Sequence, residues 1–134
     1  NAALSPNSAW FAYESNVSGQ YEVYVRPFPD ADGQRRLISG TGGGRTPVWS
    51  RDGTELFYLR RDQLMATQTQ TEPGFSFETP ETLFKMSFAG SIVGRNYAVG
   101  PDRRFIMIKT GAPPPPHISV LLNWQELLER VPVP

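Results

Sequence analysis

Ser50 and Asp52 stand two residues apart in the stretch TPVWSRDGTELFYL, Thr46 to Leu59, and a hydroxyl beside a carboxylate raises the question of nucleophilic catalysis. A serine nucleophile needs a base poised to take its proton and a third group to orient that base. The only histidine, His117, follows the proline run Pro113–Pro116, with no orienting carboxylate or nucleophile identifiable for it. It is read as part of a loop leading into a strand at Ile118–Leu122. No Gly-x-Ser-x-Gly elbow occurs, and the chain has no cysteine, which excludes disulfides, a thiol nucleophile and a Cys-ligated zinc site.

Three other stretches suggest chemistry and lack the parts for it. PDADG, Pro29 to Gly33, resembles the opening of a calcium loop without its later ligands or closing Glu, and is read as a hairpin loop. SGTGGGRTP, Ser39 to Pro47, is glycine-rich like a phosphate cradle. It has no Lys-Ser/Thr after the glycines and precedes a strand, so it is read as a flexible connection. Pro113–Pro116 would form a polyproline II segment, but no basic residue flanks it in the pattern that groove-binding ligands favour. A stiff loop is the plainer expectation. No catalytic residue, metal ligand or cofactor site is therefore assigned.

The elements that must position these residues emerge when the chain is laid against itself. Composition comes first: 134 residues, 39% apolar and 19% charged, describe a globular chain able to bury a core. Thirteen cations cancel thirteen anions, so no net field draws nucleic acid or an anionic membrane. No run is long enough to span a membrane, and no signal-peptide pattern opens the chain, which begins with Asn and is read as a piece of something longer or a processed product.

LSPNSAWFAY from Leu4, WSRDGTELFY from Trp49 and VGPDRRFIMI from Val99 share one pattern. Each has an apolar residue, a small residue, a turn and an aromatic-rich apolar strand. A unit of about 40–50 residues made of short strands is the signature of a β-propeller blade. Strands are expected at Ala2–Ser5, Trp10–Ser15, Glu22–Pro27 and Arg36–Ser39 in the first unit. In the second they fall at Pro47–Ser50, Glu55–Arg60, Leu64–Thr69 and Glu81–Met86, and in the third at Asn96–Val99, Phe105–Lys109 and Ile118–Leu122. Asn123 then caps a short amphipathic helix, with Trp124, Leu127, Leu128 and Val131 on one stripe and Pro132 ending it.

Within this frame Ser50 and Asp52 belong to a hairpin turn. Asp52-Gly53 lies where two strands reverse, Gly53 supplies a positive φ, and both polar side chains can bond the turn backbone. Asn7-Ser8 and Asp102-Arg103 fill the same slot in the other units.

SPNSAWFAYESNVSGQYEVYVRPFP and TPVWSRDGTELFYLRRDQLMATQTQ resemble the WD-like repeats of TolB-type β-propellers, and YEVYVRPFP and ISVLLNWQELL are similar to the final blades of propeller regions at the C-termini of large bacterial proteins, including those fused to serine/threonine kinases. The likeness covers nearly the whole chain. It departs from the family's Ser-Pro-Asp-Gly turn at Asn7-Ser8, Arg51 and Arg103, which puts those turn types in question. The resemblance implies six blades in a complete ring, hence half a ring here, and a periplasmic or extracytoplasmic setting. It implies roles in scaffolding, ligand sensing or covering a separate enzyme domain.

The expected fold is therefore all-β: about three four-stranded antiparallel blades, the last incomplete, plus the C-terminal helix. The boundaries are about 1–40, 45–88 and 95–122 for the blades and 123–131 for the helix. The competing expectation is a compact β-rich domain of another kind. Three blades leave apolar faces and strand edges uncovered, so two chains are expected to pair head to tail into a six-bladed ring. The expected function is non-enzymatic binding of a protein or small ligand, with Tyr13, Tyr24, Arg26, Tyr58 and Arg60 as a possible binding mouth. The alternatives are a fragment of a propeller-based hydrolase or lyase acting on peptide or carbohydrate, and the sensor region of a kinase-fused protein.

Overall fold

The structure, a computed structural model, describes residues 1–30, 32–85 and 94–108. His117, the Pro113–Pro116 run, the strand expected at Ile118–Leu122 and the helix expected at 123–131 lie outside the described residues. Among the described residues the chain is all-β, with antiparallel pairing throughout and one 3-10 turn. No helix among them is long and apolar enough to cross a membrane.

The first sheet follows chain order: β1 (Ala2–Leu4), β2 (Trp10–Ser15), β3 (Glu22–Pro27) and β4 (Arg36–Leu37). A 3-10 turn at Gly40–Gly42 leads to the second sheet, formed by β5 (Arg45–Trp49), β6 (Glu55–Arg60) and β7 (Gln63–Gln70). The far edge of β7 carries two short strands, β8 (Ser76–Phe77) beside Thr69–Gln70 and β9 (Glu81–Lys85) beside Gln63–Ala66. Strand β9 meets the outer strand expected at Glu81–Met86 as far as the described residues reach, and β8 is an additional short strand before it. A third, two-stranded sheet pairs β10 (Tyr97–Val99) with β11 (Phe105–Met107).

The sheets stack in series, because each strand alternates apolar residues between two faces and the middle sheet is apolar on both. Ala12, Val23, Val25 and Ile38 of the first sheet close on Trp49, Leu56, Tyr58 and Met65 of the second. The opposite face of the second sheet presents Val48, Phe57, Leu59, Leu64 and Ala66 to Tyr97, Val99, Phe105 and Met107 of the third. Phe75, in the turn after β7, packs against both Trp10 and Trp49, with ring centroids 5.2 and 6.2 Å away. The buried indole and phenol groups find polar partners across the layers. Trp49 Nε1 donates to Ala3 O at 3.1 Å, and Tyr97 Oη donates to Thr46 O at 2.8 Å.

Strand β5 begins two residues before its expected start and contains an irregularity between Arg45 and Val48. Thr46 there has φ 54°, uncommon for a β-branched residue. Contacts from both neighbours fix it: Glu14 Oε2 accepts from Thr46 N–H at 2.6 Å, and Tyr97 holds its carbonyl. Pro47 fits β5 because that strand has a partner on one side only, β6.

The glycine-rich connection is packed rather than slack. A Cβ on Gly44 would stand 2.8 Å from the Tyr58 ring and 2.9 Å from Ser39 Cβ. The glycine is required by close approach, where sequence suggested flexibility.

Candidate functional site

Three turns bring the polar residues of the repeat together in the same way. Ser8 N donates to Ser5 O, Gly53 N to Ser50 O and Arg103 N to Gly100 O, at 2.8, 3.1 and 3.1 Å. In the first two turns the serine Oγ donates to the Asx side chain and accepts from the strand beyond. Ser50 Oγ bonds Asp52 Oδ1 at 2.7 Å and receives Glu55 N at 2.9 Å, and Ser5 Oγ repeats this with Asn7 and Trp10 at 2.8 and 3.0 Å. The left-handed position is kept even where glycine is missing: φ is 57° at Ser8, 74° at Gly53 and 61° at Arg103.

This geometry argues against serine chemistry. The Ser50 proton is directed at Asp52, whose carboxyl is held down at about 2 by Ser50 and by the backbone and side chain of Thr54. A carboxylate that acidic is a weak base near neutral pH. Ser50 Oγ is also committed to the Glu55 N–H.

Two predictions follow from the turns. Ser8→Gly is expected to raise stability by about 0.5–1 kcal/mol, since relief of the left-handed penalty exceeds the added chain entropy. Arg103→Gly is expected to lower it by about 1 kcal/mol, because Arg103 Nη2 lies 2.6 Å from the buried Glu55 carboxylate and joins the second sheet to the third. Urea titration measures both, and equal signs would contradict the assignment.

The second concerns pH. The folded-state carboxyl of Asp52 is depressed from an ordinary 3.8, so its stabilisation is present above about 4 and is lost as pH falls towards about 2. Asp52 is exposed, and solvent screening limits the effect to about 1 kcal/mol or less. Asp52→Asn is expected to flatten melting temperature against pH across that window, and an unchanged acid limb would contradict it.

The five residues singled out as a binding mouth do not gather at one opening. Tyr13, Tyr24 and Arg26 share the outward face of the first sheet. Tyr13 stacks on Tyr24 with centroids 5.7 Å apart, Phe11 stacks on Tyr13 at 5.2 Å, and Phe28 meets Phe11 edge-on at 6.5 Å. Arg26 lies 6.0 Å from the Tyr13 ring and Arg35 lies 4.8 Å from that of Tyr24. Tyr24 Oη donates to Glu22 Oε2 at 2.5 Å, which lowers the Glu22 carboxyl and raises the Tyr24 phenol. Tyr58, in contrast, is fully buried between the first and second sheets, and that burial raises its phenol. Arg60 binds the connecting segment, with Nη2 2.6 Å from Ser39 O and Nε 3.3 Å from Gly43 O.

Of the residues weighed for a metal, Asp30 instead accepts from the backbone N of Asp32 at 3.2 Å, an Asx turn. Leu4 and Phe28, which sequence reasoning did not single out, complete the outward face with Phe11. Their strand parity with Tyr13 and Tyr24 is the signal that could have found them.

The register makes that face informative. Leu4 pairs with Phe11 as Trp49 pairs with Leu56 and Val99 with Phe105. Aligned by these pairs, Leu4, Phe11, Tyr13 and Tyr24 occupy the positions of Trp49, Leu56, Tyr58 and Met65, all buried between sheets. Likewise Ala98 and Ile106 of the third sheet correspond to Val48 and Phe57. Ile106 is 76% exposed where Phe57 is fully covered.

No protein-family model matches the chain, and no curated protein matches it.

Proposed function

We propose that this chain is a non-enzymatic, propeller-derived binding module of the TolB type that completes its ring by pairing head to tail with a second copy. One observation carries the proposal: both ends of the stack present positions whose counterparts inside it are buried. The outward face of the first sheet, through Leu4, Phe11 and Tyr13, receives the outward face of the third, through Ala98, Ile106 and Ile108; Tyr24 is already covered within one chain and backs that face. Leu4, Ile106 and Ile108 are 46%, 76% and 59% exposed, and covering them is favourable by about 25 cal/mol per Å² of apolar surface. The repeated turns and serial stacking are what a blade succession requires. The closed ring displays its loops for a protein or small-ligand partner, while the aromatic and Arg face serves assembly.

Cysteine cross-linking tests the geometry, and the natural chain contributes no thiol of its own. Copies carrying Y13C mixed with copies carrying I106C are expected to form a disulfide-linked dimer rapidly. Y13C copies alone are not. Equal cross-linking in both mixtures, or none in either, would reject head-to-tail pairing.

A further inference from the structure

The charge of the chain sums to zero, yet Arg60, Arg61 and Lys85 line one cleft of about 370 Å³, with Asp62 the sole carboxylate among its lining residues. Arg60 is fixed there in advance. Its Nη2 donates to Ser39 O and, at 3.1 Å, to Tyr58 Oη, while Nε reaches Gly43 O. Gly42 allows this, since a Cβ at that position would lie 2.7 Å from Arg60 Cζ. Arg61 opens the two-residue turn between β6 and β7 at φ 55°, where glycine or asparagine is the unstrained choice. A second cleft of about 560 Å³ shares Gly42 and Arg60 and is walled by Leu37, Phe77 and Pro80, with Glu78 as its one carboxylate. Leu37 and Phe77 remain 38% and 37% exposed.

We propose that these joined clefts bind a small oxyanion carried on an apolar body, of the aryl phosphate or aryl carboxylate class. The cations meet the charged group and Leu37 and Phe77 take the ring. Arginine suits both oxyanions, a guanidinium already held in place loses little freedom on binding, and Arg60, Arg61 and Lys85 outnumber the carboxylates Asp62 and Glu78 among the lining residues. All these residues come from one chain, so this site and the self-association proposed above succeed or fail separately.

Isothermal titration calorimetry with phenyl phosphate, benzoate, inorganic phosphate and benzyl alcohol tests it. Phenyl phosphate, benzoate or both are expected to bind, which of them deciding the oxyanion. Inorganic phosphate is expected to bind more weakly and benzyl alcohol not at all. R61G relieves the backbone at that turn and so keeps the fold, but is expected to weaken binding at least about tenfold, as is K85A. R51A, altered at the opposite end of β6, is expected to leave binding unchanged. No binding of either aryl anion at millimolar concentration, R61G binding as tightly as the parent, or R51A losing as much as R61G would overturn the proposal.

Discussion

Phe57→Ala is expected to lower the free energy of unfolding by about 3–5 kcal/mol, the range for emptying a fully enclosed aromatic site. The ring has no solvent exposure and lies between Val48, Leu59, Leu64 and Ala66 of its own sheet and Tyr97 of the next. Phe105 meets it edge-on at a centroid distance of 5.1 Å. Collapse around the gap is opposed from two sides, because β5 and β7 hold β6 in register while the third sheet caps the site. Phe28→Ala, at a ring 47% exposed, is the matched control and is expected to cost less than about 1 kcal/mol. Urea unfolding with an unchanged m-value reads both. Similar losses for the two variants would mean that the second and third sheets do not pack as described.

Tyr13→Asp carries the other large effect. In the proposed ring it puts a carboxylate at the position corresponding to the fully buried Tyr58, with the Arg26 guanidinium, 6.0 Å from the Tyr13 ring, as the neighbouring cation. Desolvating a carboxylate and its neighbouring guanidinium in an apolar interface costs several kcal/mol, so self-association is expected to weaken at least about a hundredfold. Tyr13 is half-buried in the single chain, and folding of that chain is expected to change little by comparison. Ile106→Asp is expected to act alike from the other end of the stack. Val17→Asp, in the β2–β3 turn at 67% exposure, is expected to leave association intact. Concentration-dependent sedimentation separates the three, and a Tyr13→Asp chain that associates like its parent would remove this face from the interface.

Much of the strand framework was legible because alternation and aromatic content mark it. β2, β3 and β6 have the bounds expected from WFAYES, EVYVRP and ELFYLR. Strand β8 was not, since Ser76–Phe77 is too short to show a two-residue period. The early start of β5 was hidden for a different reason. The conformation of Thr46 is set by Glu14 and Tyr97, both distant in sequence.

The repeat itself identified the turns, but Ser8 and Arg103 replace the residue that normally signals a positive φ. Their place in the repeat, more than their own preferences, marks the conformation. At the candidate site, identity alone grouped Tyr13 with Tyr58, and both do occupy one repeat position. What separates them is their neighbourhood: the first sheet covers Tyr58, whereas the equivalent layer over Tyr13 is supplied by no described residue. The cleft around Arg61 was illegible for a related reason, since only the β6–β7 register puts that residue in a left-handed turn beside Lys85.

Sedimentation equilibrium at micromolar concentration is the most direct test of self-completion. The expected mass is twice the 15.0 kDa of one chain, falling towards a single chain when Tyr13 is replaced by Asp. A mass of 15.0 kDa that holds across the concentration range would contradict it.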